Sequence, residues 1–198
     1  MNETSPFKEQ TISGATTTFT STTSTISSNA VANINMHQLS TINQGSNLSA
    51  HSGKGIMFTI YAKQEVVIRG FDIKAKRKAG GNRVEIFTLD SDYEGQPIIA
   101  NEWKLLYDGI LPIQRRKVFK LADFEEELII PAGMTQSFYI YTEKGLMYSA
   151  TSEGEGEVYG NDGLITIHKG SVTMQRFSDQ IGTGLWLGVV RYNIDTEP

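Results

Sequence analysis

The chain has 198 residues, a formal net charge of −4 and a hydrophobic content of 39%, and it contains no cysteine. This length suits one globular domain with an extension. The lack of cysteine excludes disulfides, thiol catalysis and cysteine-ligated zinc. The small negative charge gives no electrostatic reason to expect nucleic acid as a partner. No apolar run approaches the roughly 18 residues that a membrane-spanning helix needs, so no transmembrane segment is predicted.

The chain begins with an uncharged segment, because residues 10–53 contain no Asp, Glu, Lys or Arg. Thr and Ser fill 13 of the 18 positions from Thr11 to Ser28, and alternate β-branched residues suit an extended strand. Three interpretations stay open: a flexible or O-glycosylated linker, a strand that completes the domain, or a strand that pairs with a neighbouring subunit. We predict an N-terminal extension over residues 1–52 and a domain over residues 53–198. The candidate assembly residues are Thr16, Thr18, Phe19, Thr20 and Thr22.

From Ile56 onward, the sequence is typical of short β-strands separated by Gly- and Asn-rich turns. Lys76–Asn82 contains two consecutive glycines and predicts a hairpin turn, and Leu121–Leu128 is the best candidate for a short helix. The pattern predicts an all-β fold, an antiparallel β-sandwich of jelly-roll type with about ten strands. The candidate strands are Ile56–Ala62, Glu65–Ala75, Arg83–Leu89, Trp103–Tyr107, Lys117–Leu121, Leu128–Ile130, Ser137–Thr142, Leu146–Ser149, Leu164–His168, Ser171–Arg176 and Leu185–Tyr192.

Four stretches of the chain carry a resemblance to a known family. They are Met57–Ile73 (MFTIYAKQEVVIRGFDI), Ile130–Tyr139 (IPAGMTQSFY), Leu164–Gly170 (LITIHKG) and Trp186–Tyr192 (WLGVVRY). In this order and spacing they resemble uncharacterised β-sandwich modules of secreted, often multidomain proteins in marine bacteria and diatoms. The resemblance implies a β-sandwich and an extracellular or cell-surface location, and it implies no known activity.

The resemblance begins near Gly53, where the uncharged segment ends. Thr59 stands where the family usually has Asp, and Leu187 stands where it has Asn. His168-Lys169 replaces a position that is commonly acidic. If those polar positions bind a ligand in members of the family, the substitutions put binding of that ligand by this chain in doubt. The first residues of the sequence lack the basic and apolar regions of a signal peptide.

A short acidic motif is the candidate metal site. Asp90, Asp92 and Glu94 place carboxylates at alternate positions before a glycine, as at the opening of a calcium loop. The twelfth position from Asp90 is Asn101, where an EF-hand requires a bidentate Glu. Calcium is therefore a possible cofactor, and a solvated loop between strands is the simpler interpretation.

Two aromatic residues in the stretch NEWKLLYDG are the candidate ligand-binding residues. Trp103 and Tyr107 have polar neighbours, so they are the best candidates for exposed rings that stack on a sugar. Packing in the core is the alternative for both.

A basic stretch surrounds the predicted hairpin turn. Lys74, Lys76, Arg77, Lys78 and Arg83 would grip an anionic polysaccharide or a phosphate through several charges. A solvated turn is the more common structure for such a cluster.

No catalytic motif is present in the sequence. It has no G-x-S-x-G, P-loop or H-E-x-x-H pattern, and its three histidines, His37, His51 and His168, are isolated from one another. We therefore predict that the protein is not an enzyme. Two carboxylates that meet in one cleft would instead favour a glycan-active enzyme.

These observations favour a non-enzymatic, extracellular structural or adhesive building block that self-assembles through its N-terminal extension. Its predicted partners are proteins, either itself or cell-surface and matrix proteins. The alternative is a carbohydrate-binding module whose partner is a polysaccharide.

Overall fold

The structure is a computed structural model and describes residues 36–42, 50–94, 98–113, 118–150 and 156–194. These residues belong to a compact unit that spans Ile34–Pro198. Within the described residues the chain forms thirteen strands. They are β1 (Met36–Ser40), β2 (Ala50–Ala62), β3 (Val66–Lys74), β4 (Arg83–Leu89), β5 (Lys104–Ile110), β6 (Val118–Lys120), β7 (Leu128–Ile130), β8 (Thr135–Ala150), β9 (Val158–Asn161), β10 (Ile165–His168), β11 (Gly170–Thr173), β12 (Gln180–Trp186) and β13 (Gly188–Ile194).

The strands form two sheets. The small sheet has the order β1-β13-β3-β6, and β7 also pairs with β3. The large sheet has the order β5-β4-β8-β12-β11-β2-β10-β9, and β8 also pairs directly with β2. Every pairing between described strands is antiparallel. The predicted all-β, antiparallel β-sandwich is therefore confirmed.

Aromatic side chains join the two sheets. Phe58 of β2 and Trp186 of β12 stack with their ring centroids 4.4 Å apart. Phe71 of β3, in the small sheet, meets Phe138 of β8 edge to face, with centroids 4.9 Å apart. All four side chains are buried. Because such rings bury a large area each, this contact is the centre of the core between the sheets.

The outer face of the large sheet carries a second buried cluster. Side chains alternate between the two faces of a strand, so Met57 and Tyr139 point away from the core that their neighbours fill. Phe87 of β4 joins them, and the connection between β4 and β5 covers them with Tyr93 and Trp103. A sandwich usually leaves such a face to water, so its burial under loops marks this surface as unusual.

The end of the uncharged segment is part of the sandwich. Strand β1 pairs with β13 from Met36↔Asn193 to Ser40↔Val189. Next to it, the buried hydroxyl of Thr41 donates to the carbonyl of Trp186 at 2.7 Å. The predicted boundary between residues 52 and 53 therefore separates β1 from the sheet to which it belongs. The candidate residues from Thr16 to Thr22 lie outside the described residues.

Local predictions differ from the structure in three places. Lys76–Asn82 does not form a hairpin, because it connects β3 of the small sheet to β4 of the large sheet through a 3-10 turn at Arg77–Ala79. Leu121–Leu128 forms a loop that leads into β7, and not the predicted helix. The two candidate strands between Ser137 and Ser149 are one long strand, β8. No helix in the described part of the chain is long and apolar enough to cross a lipid bilayer.

Candidate functional site

A pair of buried hydroxyl groups anchors the loop after β4 to the outer face of the large sheet. Thr59 of β2 and Ser137 of β8 lie opposite each other, with their hydroxyl oxygens 3.0 Å apart. The hydroxyl of Ser137 donates to the carbonyl of Ser91 at 2.6 Å and accepts from the backbone N–H of Tyr93 at 3.2 Å. Thr59 donates to the carboxylate of Asp92 at 3.1 Å. Residues 91–93 of the loop are therefore anchored by side chains of two central strands.

Aromatic packing holds the same loop from above. The ring of Tyr93 is 6.2 Å from that of Trp103, and its hydroxyl accepts from the backbone N–H of Ser171 at 2.9 Å. The ring of Trp103 also lies edge to face with Tyr139, at 6.1 Å. Trp103 is only 7% exposed, so the loop has a fixed aromatic wall.

These contacts leave a cavity of about 390 Å³ between the loop and the short 3-10 turn at Ala100–Glu102, which we call the loop pocket. Its volume falls in the range of roughly 300–1,000 Å³ that is typical of small-molecule sites. Apolar side chains form much of its wall, and the described lining residues also include two with hydroxyl groups and two with carboxylates. The lining residues are Leu89, Ser91, Asp92, Tyr93, Ile98, Ile99, Glu102 and Trp103.

The three candidate calcium ligands do not converge in the described structure. Asp90 accepts a hydrogen bond from the amide of Gln136 at 2.7 Å. Asp92 accepts from Thr59 and from the backbone N–H of Glu94. Glu94 itself points towards Gly156. Among the described residues, no group of three His, Asp or Glu side chains is arranged to hold a metal ion. Calcium binding at this motif remains a prediction.

The structure separates the two candidate aromatic residues. Trp103 and Asp92, predicted for different roles, line the same loop pocket. Tyr107 lies elsewhere, partly buried against the main core and beside a cavity of about 270 Å³ that also includes Asp108 and Asp123. Neither ring is a fully exposed platform, because Tyr107 packs against the main core and the loop covers Trp103.

A second cleft on the outer face, the arginine cleft, is organised around Arg176. Both carboxylate oxygens of the buried Glu85 accept from this guanidinium, at 2.9 and 3.2 Å. The same group lies over the rings of Phe87 and Phe177, at 5.0 and 5.1 Å. Phe177 has a φ of 50°, a conformation that is rare for a bulky residue, and its N–H donates to the hydroxyl of Tyr139. The cleft measures about 340 Å³ and is lined by Arg83, Glu85, Tyr141, Glu143 and Arg176.

This cleft contains the acidic pair that would favour a glycan-active enzyme, since Glu85 and Glu143 both line it. Glu85 has both oxygens bound to Arg176, and Arg83 lies 3.5 Å from one of them. A general acid or base must exchange a proton with the substrate, and a carboxylate engaged in this way is badly placed to do so. Glu85 is therefore part of an ion-pair network with Arg176 and Arg83 in this cleft.

His168 and His37 lie in different sheets of the structure. His168 of β10 is half-buried, and burial lowers its pKa below the usual 6.5, although the nearby charge of Asp92 acts in the opposite direction. His37 stacks on Tyr192 in the small sheet, with ring centroids 5.5 Å apart. The described residues therefore give no histidine cluster for catalysis or metal binding.

Several residues of these clefts were not predicted from the sequence. Glu102 and Ser91 are neighbours of predicted residues, so the acidic motif and the aromatic stretch located them approximately. Arg176 and Phe177 had no signal, because a positive φ and an ion pair with Glu85 arise only from long-range packing.

Comparison of the chain with models of known protein families and with curated proteins finds no match. The resemblance to β-sandwich modules of secreted proteins remains a prediction. The functional argument therefore rests on the geometry of the outer face of the large sheet.

Proposed function

We propose that the protein is a non-enzymatic, extracellular β-sandwich of structural or adhesive type that recognises a saccharide in its loop pocket. The observation that carries this proposal is the meeting of Trp103 and Asp92 in one cavity of about 390 Å³. A saccharide presents apolar C–H faces and hydroxyl donors. The aromatic and aliphatic wall of the pocket suits the C–H faces, and its carboxylate oxygens accept hydrogen bonds from the hydroxyl groups.

The polar groups of the pocket define the kind of sugar. Asp92 and Glu102 accept hydrogen bonds when ionised, and hydroxyl groups donate them. Two carboxylates in a small cavity repel a carboxylated or sulfated sugar. A neutral saccharide is therefore the ligand that the loop pocket fits.

The test uses a glycan array, followed by calorimetry with the neutral oligosaccharides that bind. Glu102→Gln removes an exposed carboxylate from the pocket rim without touching the core, and it should weaken binding about five- to tenfold, as expected for one charge-assisted hydrogen bond. Glu65→Gln, an exposed site outside the pocket, is the matched control and should leave binding unchanged. Repeating the array with a chelator separates sugar binding from calcium binding. The proposal would be overturned if the protein binds no neutral saccharide. It would also be overturned if Glu102→Gln and Glu65→Gln lose affinity equally.

Self-assembly through the N-terminal extension is the second candidate. The observation that favours it is that, among the described strands, β1 stands at the edge of the small sheet and pairs with β13 on one side only. An edge strand presents unpaired N–H and C=O groups to another chain, and the uncharged segment ahead of β1 has no charge to prevent pairing.

The structure sharpens the deletion that tests assembly. Removing residues 1–52 would also remove β1, so removal of residues 1–35 is the informative change. Light scattering at high concentration should show oligomers of the full chain and a monomer after this deletion. A full chain that stays monomeric would rule out assembly.

A further inference from the structure

Strand β8 leaves its regular pairing with β2 near its middle. Gly53 pairs with Leu146 and Gly55 pairs with Tyr141, so four residues of β8 stand opposite the single residue Lys54. Such an excursion turns side chains out of the sheet, and bulges of this kind are common beside functional sites.

The excursion gathers three lysines that are distant in sequence. Lys144 lies within it, and Lys54 lies opposite. Lys76 follows β3, and its backbone N–H donates to the carbonyl of Gly145 at 3.2 Å. Gly145 has a φ of 96°, which only glycine adopts readily. The resulting cavity of about 220 Å³, which we call the lysine cleft, is lined by Gly53, Lys54, Lys76, Glu143, Lys144, Gly145 and Met174.

The charges of the lysine cleft are not balanced within the described part of the chain. No carboxylate of a described residue makes an ion pair with Lys54, Lys76 or Lys144. Glu143 is the one acidic residue among those that line the cavity. A concave surface concentrates the field of its charges, so this cleft attracts anions although the whole chain has a net charge of −4.

The lysine cleft continues into the arginine cleft, because Glu143 lines both. The second cleft adds the guanidinium groups of Arg83 and Arg176 and the half-buried ring of Tyr141. Both guanidinium groups are already paired, Arg176 with Glu85 and Arg83 with Asp108, so within the described residues the three lysines are the cations of the two clefts without a carboxylate partner. The two clefts together form a groove in which five basic residues stand against Glu85 and Glu143.

We propose that this groove binds an anionic polysaccharide, with Lys54, Lys76 and Lys144 contacting its carboxylate or sulfate groups. The concave shape suits a single polymer strand better than a flat anionic membrane. Nucleic acid is disfavoured because the chain is acidic overall and because single strands bind on several stacked aromatic rings, whereas Tyr141 is the one aromatic residue among the described residues that line the groove. This site is independent of the neutral loop pocket.

The test measures binding of the full chain to heparin and to polygalacturonate by calorimetry at two salt concentrations. The triple variant Lys54→Gln/Lys76→Gln/Lys144→Gln should bind about tenfold or more weakly, since each exposed charge contact contributes a small factor. The control, Lys63→Gln/Lys104→Gln/Lys120→Gln, changes the net charge equally at exposed lysines outside the groove and should change affinity less than about twofold. Glu143→Gln removes the opposing carboxylate and should strengthen binding.

Salt dependence and competing polymers decide the outcome. Binding should weaken as salt rises, because screening reduces contacts between exposed charges. Equal losses in the two triple variants would show a mere net-charge effect and overturn the proposal. Absence of binding to both polysaccharides would overturn it as well, as would tighter binding to oligothymidine or to phosphatidylserine vesicles. Neutral saccharide binding tests the loop pocket separately, so failure of one site is distinguishable from failure of the other.

Discussion

Replacing Thr41 by valine tests whether the end of the uncharged segment is a structural part of the sandwich. Thr41 is fully buried, and its hydroxyl donates to the carbonyl of Trp186 at 2.7 Å and accepts from the backbone N–H of Gly188 at 3.0 Å. Valine has nearly the same shape and cannot form either bond. Any loss of stability therefore reports on the hydroxyl rather than on packing.

The expected magnitude follows from which groups lose their partners. The carbonyl of Trp186 keeps a hydrogen bond from the hydroxyl of Tyr159, and that of Gly188 keeps one from the backbone N–H of Thr41. The N–H of Gly188 loses the hydroxyl that it contacts. A buried unpaired amide costs about 1–3 kcal/mol, and the lost hydroxyl bond adds about 1 kcal/mol. The free energy of unfolding should fall by about 2–4 kcal/mol, which lowers the Tm by roughly 5–10 °C for a domain of this size.

Urea denaturation of the wild type, Thr41→Val and Thr41→Ser provides the measurement. Thr41→Ser keeps the hydroxyl and removes one methyl group, so it should lose about 1 kcal/mol. The expected order of stability is wild type, then serine, then valine. If valine is as stable as serine at this position, the hydroxyl does not attach the segment to the sandwich and the reasoning is wrong.

Three further changes have definite outcomes. Gly170→Ala should abolish folding or lower expression sharply, because an added Cβ would lie 1.7 Å from the carbonyl oxygen of Met57; a soluble, cooperatively folded variant would contradict this. Burial lowers the pKa of His168 in the folded state. The contribution of the neutral imidazole to stability is therefore complete above pH 6.5 and is lost as the pH falls through the lower folded-state pKa. Between pH 7.5 and 5, the Tm of His168→Gln should depend less on pH than the Tm of the wild type. Burial raises the pKa of Tyr192, whose hydroxyl donates to Asp162 at 2.5 Å, so its contribution is present below pH 10 and is lost at higher pH. Tyr192→Phe should be about 1–2 kcal/mol less stable at pH 7, and a difference that does not shrink above pH 10 would refute this assignment.

Much of the secondary structure was predictable because it depends on local patterning. Arg83–Leu89 and Leu128–Ile130 are strands with the predicted bounds. Strand β1 was missed, because MHQLS has no clear alternation and gains its stability from pairing with β13. Leu121–Leu128 has the composition of a helix, but the small sheet holds the loop, since the N–H of Phe124 donates to the carbonyl of Arg69 at 2.7 Å. Long-range contacts overrode the local preference in both cases.

The candidate sites were predictable only in part. The acidic motif and the aromatic stretch indicated the region of the loop pocket, but their convergence depends on the buried pair Thr59 and Ser137. The lysine cleft combines residues from four separate parts of the chain, of which the basic stretch supplied Lys76 alone. The spacing of these residues along the sequence does not predict that they come together in the fold.

The sequence by itself determined that this protein is an acidic, cysteine-free β-sandwich with an uncharged N-terminal segment. Those properties follow from composition and from a side-chain period of two, both of which are local. The tertiary structure alone decided that the segment contributes β1 to the small sheet and the start of β2 to the large sheet, and that one face of the large sheet is covered by loops. It also decided which charges share a groove, because the fold brings β2, β8 and the connection after β3 together, although Lys54 and Lys144 are 90 residues apart in the sequence. Antiparallel pairing between distant strands creates those sites, and it leaves no trace in local patterning.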